Sequence, residues 1–185
     1  MRALPKLVTG NATAGSAETS TNVRRLAHFE SGIDLSGLDR FCANLCASSE
    51  WPIAQLWVQA PEKPLLRCAH SWFAESPDLE TFCQLSGICT LVPGLGIPGR
   101  VWLDGKPHWY EDVKFYPRLP RSPIAEKCGI RCGIAVPILG EGECVAVLEL
   151  FSREVRERDD GTLEFVAAAA ARAMEMAPER KRETA

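Results

Sequence analysis

Gly94-Leu95-Gly96-Ile97-Pro98-Gly99-Arg100-Val101-Trp102, with Gly105-Lys106-Pro107-His108-Trp109 close behind it, is the stretch on which the reading of this chain turns. It spells a glycine-rich turn running into a short apolar helix, then a Gly-x-Pro turn and an aromatic pair. Glycine reaches positive φ and lets backbones approach where a Cβ would collide, so such a turn can lay a helix tightly on a sheet. The spacing Gly94-x-Gly96-x-x-Gly99 also matches a dinucleotide fingerprint letter for letter. That site needs a strand just before the turn and an acidic residue closing the next strand. Here Leu91-Val92-Pro93 precedes it, the acidic partner is missing, and Pro98 removes an N–H that a phosphate would want. The glycines therefore read as structural.

Outward from the turn, the apolar periodicity sets the element order. Leu35, Leu38, Phe41/Cys42 and Leu45/Cys46 recur at helical spacing until Trp51-Pro52. Ile53 to Ala60 reads as a half-buried or central strand, and the Glu62-Lys63-Pro64 turn leads to a hairpin partner, Leu65 to Trp72. Ser76-Pro77-Asp78-Leu79-Glu80 starts a helix, with Ser76 as N-cap, that is expected to carry Leu79, Phe82, Cys83 and Ile88 inward. After the glycine turn come a loop bearing Trp109, Tyr110, Phe115 and Tyr116 and a helix near Pro123 to Cys128. Two strands follow, Ile130–Ile138 and Cys144–Phe151, joined by Gly140-Glu141-Gly142-Glu143. Asp159-Asp160-Gly161 then opens an alanine-rich helix with an apolar stripe through Leu163, Val166, Ala170, Ala173/Met174 and Ala177. This order suits an antiparallel sheet with helices on one face and a long middle excursion folded over the other.

Composition bounds the possibilities. At 185 residues and 46% hydrophobic, the chain is one domain with a real core. A net charge of −3 with interspersed signs gives no electrostatic footprint for nucleic acid. The longest apolar runs have strand length, so no membrane span is expected, and the protein is placed in the cytoplasm. The N-terminus has no apolar signal region, and most of the eight cysteines sit in patterned apolar segments. They read as buried reduced thiols, which pack as small hydrophobes. Residues 1–24 read as a disordered tail, with a transit segment as the alternative; residues 25–177 as the domain; and 178–185 as a polar tail.

Among residues that could carry chemistry, Arg121 and Arg100 are the cations best placed to meet an anion. Trp109 and Tyr110 sit on a predicted loop beside Arg121 as a pocket wall, while Trp57 and Trp102 read as core. Cys128 and Cys132 are the one pair with structural-zinc spacing, too few for a site, so no metal is assigned. No Ser/His/Asp order or carboxylate pair stands out, and no catalytic residue or cofactor is assigned. Cys128 lies near Lys127 and Arg131, neighbours that can lower a thiol pKa, which makes it a redox candidate.

The elements from Gly37 to Ala177 resemble a GAF domain, the small sensory module of signalling proteins. The pattern is similar to the GAF-like region of plant and algal NIN-like proteins, regulators of nitrate responses, with bacterial sensor-kinase GAF domains sharing much of it. The resemblance is carried by Gly96-Ile97-Pro98-Gly99-Arg100-Val101-Trp102, Pro107-His108-Trp109, Asp112-Val113, Pro120-Arg121, Ile124-Ala125, Arg131-Cys132-Gly133, Ala135-Val136-Pro137-Ile138 and Val147-Leu148-Glu149. The chain carries no RWP-RK segment and no PB1 domain, so DNA binding is not carried over. The Cys-His pair of bilin-binding relatives and the Asn-Lys-x-Asp signature of cyclic-nucleotide binders are missing too.

The resemblance implies an α+β fold: a central antiparallel sheet, terminal helices on one face and a pocket-forming middle segment on the other. It implies a sensory domain that binds a small molecule or anion and signals through a partner protein or a homodimer made by the terminal helices. The ligand-binding set is Trp57, Cys89, Thr90, Leu91, Trp109, Tyr110, Arg121 and Cys132, with nitrate among the candidate anions and a lid from Trp109 to Arg121. The alternative is a thiol enzyme or redox sensor, since the free methionine-(R)-sulfoxide reductase is similar in outline. Cys89 matches its first cysteine, which adds it to Cys128 as a redox candidate; Pro98 stands at the second, and the third falls near Glu126 or Cys128. A ligand-free scaffold, with Arg121 buried against Glu126 and tryptophans filling the pocket, is the remaining alternative.

Overall fold

The computed structural model describes residues 35–60, 63–116, 118–140 and 142–175; both expected tails lie outside the described residues. The elements run α1 (Leu35–Ser49), β1 (Ile53–Gln59), β2 (Leu66–Phe73), α2 (Pro77–Ile88), β3 (Thr90–Leu91), α3 (Gly96–Asp104), β4 (His108–Tyr110), a 3₁₀ turn (Val113–Phe115), α4 (Ser122–Lys127), β5 (Cys132–Gly140), β6 (Glu143–Ser152) and α5 (Asp160–Glu175). The six strands form one sheet in the order β3-β2-β1-β6-β5-β4, with every neighbouring pair antiparallel.

Because β side chains alternate between faces, this sheet divides the core in two. Ile53, Trp57, Val147, Phe151 and Ala135 face the middle segment, packing with Leu79 and Phe82 of α2, Ile97 and Val101 of α3 and Ala125 of α4. Ala54, Leu56, Ile134, Val136, Leu148 and Leu150 face the other way, against Cys42, Leu45 and Cys46 of α1 and Leu163, Val166 and Ala170 of α5. The terminal helices thus share one face and the middle segment covers the other. With both faces covered, β1 is buried over its first five residues, a central strand. A bulge opposite Leu56/Trp57, where Leu56 pairs with His70 but Trp57 with Cys68, leaves Ala69 unpaired. Cys68 therefore joins the middle-segment face, whereas Trp72 packs on the helix face.

Local chemistry explains the element ends. Ser76 is the N-cap of α2 and Pro77 its first residue, with Asp78 and Glu80 in the first turn. The Ser76 hydroxyl makes no capping bond and instead accepts from Arg153 Nη2 at 2.9 Å. Leu79, Phe82, Cys83 and Ser86 are the buried stripe of α2, at the i, i+3, i+4, i+7 spacing of one helical face. Ile88, expected inward, is 80% exposed. It sits two positions beyond Ser86, roughly 200° around the helix and so on the far side. Asp159 caps α5 by accepting from the amides of Gly161 and Thr162 at 3.3 and 2.9 Å. Pro137 sits inside β5, opposite Val147, in a part of the strand that β4 does not reach because its register stops at Ala135. A residue without an N–H is tolerated on such an edge.

The glycine turn does what its sequence suggests. Gly94 and Gly96 hold φ of +82° and +71°, and the Gly94 amide donates to the Gly99 carbonyl at 2.7 Å. A Cβ on Gly99 would come within 2.4 Å of the Val92 carbonyl oxygen, so only glycine lets α3 pass there. Gly99→Ala is expected to cost about 1–3 kcal/mol of stability through overpacking, while Ile88→Ser stays near wild type; urea unfolding of both variants checks this.

Candidate functional site

The residues that converge on the middle-segment face are Gln55 and Trp57 of β1, Phe82 and Ser86 of α2, Glu149 and Phe151 of β6, and Arg121 at the N-cap of α4. In register, Gln55 lies opposite Glu149 and Trp57 opposite Val147, which brings the β1 and β6 polar groups side by side on one face. Arg121 Nη1 donates to Gln55 Oε1 at 2.9 Å and to Ser86 Oγ at 3.2 Å. Its Nη2 donates to both carboxylate oxygens of Glu149 at 2.7 Å. The Trp57 indole N–H donates to Glu149 Oε2 at 2.8 Å, and Gln55 Nε2 donates to Ser71 Oγ at 3.0 Å. The guanidinium carbon lies 4.8, 5.5 and 5.2 Å from the ring centroids of Trp57, Phe82 and Phe151, an aromatic enclosure for a cation.

This cluster is buried. Glu149, Gln55 and Trp57 are 0% exposed and Arg121 7%. Burial raises the Glu149 carboxyl above its ordinary value, and the Arg121 guanidinium and the Trp57 N–H offset that rise only in part. A recess of about 20 Å³, room for a water molecule or two, opens beside Arg121 between Gly96, Ile97, Val113, Leu119 and Ser122. The segment over it is pinned by Asp112, which accepts from the Lys114 amide and pairs with Arg131, and by the Val113 amide donating to the Arg131 carbonyl at 2.6 Å. Those Arg131 hydrogen bonds hold the Asp112 carboxyl below the usual carboxylate range.

The structure gathers some of the expected site residues and separates others. Trp57, Leu91, Tyr110 and Arg121 belong to the middle-segment face, where Leu91 packs beside Gly96 at the turn. Tyr110 accepts a hydrogen bond from Arg100 Nη1 at 2.9 Å through its phenol oxygen. Its neighbour Trp109 points through the sheet to the helix face. There it meets Trp51 edge-on at 5.7 Å and donates to the Arg156 carbonyl at 2.9 Å. Cys132 is on that face as well, with its thiol 3.8 Å from the same carbonyl. Successive strand residues cannot line one pocket, so the expected wall Trp109–Tyr110 contributes only Tyr110. Thr90 is exposed on β3, and the half-buried Cys89 thiol donates to the Leu85 carbonyl.

Cys68, Cys128 and Cys132 are poor nucleophiles here. Burial pushes the Cys128 thiol up, with Asp78 adding to the rise and Arg153 opposing it, and Arg131, expected to activate it, is paired with Asp112. Burial likewise raises Cys132 to about 12 and Cys68 to about 11. Cys128 and Cys132 fall on opposite faces of the sheet and cannot share a metal ion. Sequence reading missed Gln55, Ser86 and Glu149. A lone carboxylate in the apolar run Val145–Phe151 was the available signal, because an acidic residue is almost never fully buried without a partner.

A single antiparallel sheet with terminal helices behind it, and a polar cluster buried under a looped middle segment in front, makes one small α+β domain. The chain belongs to the GAF domain family, which it matches over residues 38–175. It is similar to protein NLP1 of Arabidopsis thaliana, 42% identical over 60 residues, covering 30% of this chain and 7% of that protein. Across NLP1, NLP2 and NLP3 of that plant, the match spans only 6–8% of the relative's length. Among solved structures it is similar to the GAF domain of a phosphoenolpyruvate-protein phosphotransferase from Coxiella burnetii (TM-score 0.63, 15% identity, 85% of this chain and 90% of that one). It is also similar to the free methionine-R-sulfoxide reductase of Neisseria meningitidis, solved with its substrate (TM-score 0.59, 17% identity, 90% and 94%). At those identities the structures share the fold.

Breaking the Arg121–Glu149 pair from one side should be severe. Arg121→Met or Glu149→Leu alone is expected to cost about 3–5 kcal/mol, because either leaves a buried charge uncompensated. The double variant should cost less than the sum of the two, since no charge remains. Guanidinium unfolding of all four proteins measures the coupling.

Proposed function

We propose that this GAF domain is a regulatory module whose pocket, between β1/β6 and the segment from Val92 to Arg131, takes a small anion held by Arg121. The observation that carries this reading is the position of Arg121: a cation held against three aromatic rings, beside the recess at the start of α3. A charge-assisted guanidinium contact in a dry setting is strong and selective for oxyanions. Of the expected site residues, Trp57, Leu91 and Arg121 stand closest to that role. The resemblance to NIN-like proteins places nitrate among the anions to be tried.

Such a module needs a route from pocket to partner. Strands β1 and β6 carry pocket residues on one face and Leu56, Leu148 and Leu150 against α1 and α5 on the other. A ligand that draws Arg121 and the lid together would therefore act on the seat of the terminal helices, through which the domain pairs with a second copy or a signalling protein. Among the described residues no helix is long and apolar enough to cross a membrane. A ligand-free scaffold is favoured by two observations: the small recess, and Arg121 buried against a carboxylate with Trp57 beside it, that carboxylate being Glu149 rather than the expected Glu126, which is exposed; stability indifferent to every compound is its signature.

The test is a thermal-shift screen of the reduced protein against nitrate, formate, acetate, cyclic nucleotides, purines and amino acids. An anion at 100 times its Kd should add about 2.7 kcal/mol, and Arg121→Gln should lose that response; a response that survives in Arg121→Gln rejects the role. Sedimentation velocity is expected to show a dimer that dissociates when Phe165, 46% exposed on α5, is replaced by Glu; a monomer at all concentrations rejects the terminal-helix pairing.

A further inference from the structure

In this structure the place of an anion is already taken. Both Glu149 oxygens lie 2.7 Å from Arg121 Nη2, on the edge of the guanidinium that an incoming oxyanion would use. We infer that Glu149 is an internal competitor for Arg121, and that a small planar oxyanion of carboxylate size binds only as Glu149 takes up a proton from solvent and releases the guanidinium. This rests on the anion reading above and adds its ligand class and its control.

The argument is one of charge in a dry place. Glu149 is 0% exposed, and its hydrogen-bond partners, Arg121 and the Trp57 indole, are all donors, which suits the ionised carboxylate of the resting state. Among the described residues, the groups around it leave no replacement cation. Strand β1 offers Gln55 and Trp57, and α2 offers Ser86 and the Cys83 thiol. From β2 comes the Cys68 thiol, β5 places Ala135 nearby, and α3 adds Ile97 and Val101 to the same cluster. Burial raises both thiols, Cys68 to about 11 and Cys83 to about 12, so they stay neutral near pH 7 and neither supply nor accept the proton. Elsewhere on the covering segment Arg100 is bonded to Tyr110 and Arg131 to Asp112.

If an anion takes Arg121, an ionised Glu149 keeps only the Trp57 N–H. A buried carboxylate so poorly compensated neutralises rather than remains charged. The exchange conserves charge inside the protein: one anion and one proton enter, and the guanidinium trades one carboxylate for another. The recess of about 20 Å³ beside Arg121 is where the incoming group lodges, and it must widen as Arg121 turns from Glu149 to take three or four heavy atoms.

The Trp57 indole N–H bonds to Glu149 and so reports on it directly. Nitrogen-15-labelled wild-type protein, titrated with sodium formate at constant ionic strength at pH 8, 7 and 6, should show this indole signal shifting to saturation; Trp57→Phe assigns it. One proton per anion means that the Kd falls about tenfold per pH unit until Glu149 is protonated before binding, below which it levels off. Glu149→Gln should bind formate at least tenfold more tightly than wild type at pH 8, with a Kd independent of pH. Saturable binding to wild type with a flat pH dependence overturns the competitor role and leaves the anion site standing. No binding to wild type or to a folded Glu149→Gln overturns both. If Glu149→Gln does not fold, the wild-type pH series decides alone.

Discussion

Arg121 and Glu149 meet in the middle of an otherwise apolar layer, and the rest of the molecule is arranged around making that tolerable. Desolvating the two ions costs several kcal/mol each, and attraction alone does not reliably return it. The chain offsets the cost with Gln55, Ser86 and Trp57 as further partners and with three aromatic faces against the guanidinium. Those partners come from α2, β1 and β6, and Arg121 itself from the start of α4. One polar knot therefore fixes the covering helices relative to the sheet. Apolar packing alone would accept sliding of these elements; directional bonds from four of them accept one arrangement.

How much of this was legible follows from which physical signal each feature leaves in a sequence. The α2 start, the β5–β6 hairpin and the glycine turn were readable because caps, turns and periodicities are local. Ile88 was misplaced because it was counted as apolar rather than by its angle around the helix. The pocket was harder. Arg121 was singled out for its charge next to a turn, but its partner lies 28 residues away on a strand, and only the sheet register joins them. Trp109 shows the complementary failure: aromatic, adjacent to Tyr110 and close in sequence to the lid, it is sent to the opposite face by strand alternation. Separation by faces needs the strand to be known as a strand, and β4 is only three residues long.

The two faces are chemically unlike, and this bears on what the sheet transmits. The helix side is mostly apolar, but the buried His70 meets Asp39 of α1 at 3.4 Å, and at its end Arg156 stacks over Trp51 at 4.9 Å while its carbonyl receives Trp109. The pocket side holds the charge pair. Glu149 sits between Leu148 and Leu150, whose side chains reach the terminal-helix layer. A change in the side-chain state of Glu149 thus occurs on the backbone that seats those helices, with no intervening chain of contacts to postulate. Under the proposed regulatory reading, this shared backbone is the route by which a change at Glu149 would reach the helix pair.

Similarity to both the GAF domain of a phosphotransferase and a sulfoxide reductase means that the scaffold does not choose between sensing and thiol chemistry; the side chains do. Thiol chemistry needs a thiolate that is accessible and stabilised by a cation or a helix N-terminus. Here Cys128 is buried with its pKa raised, Pro98 stands where the reductase pattern has a cysteine, and Arg131 is engaged by Asp112. The pocket's one buried cation faces a carboxylate instead of a sulfur. The guanidinium–carboxylate contact is the pocket's main charged interaction, and the proposed anion reading rests on it.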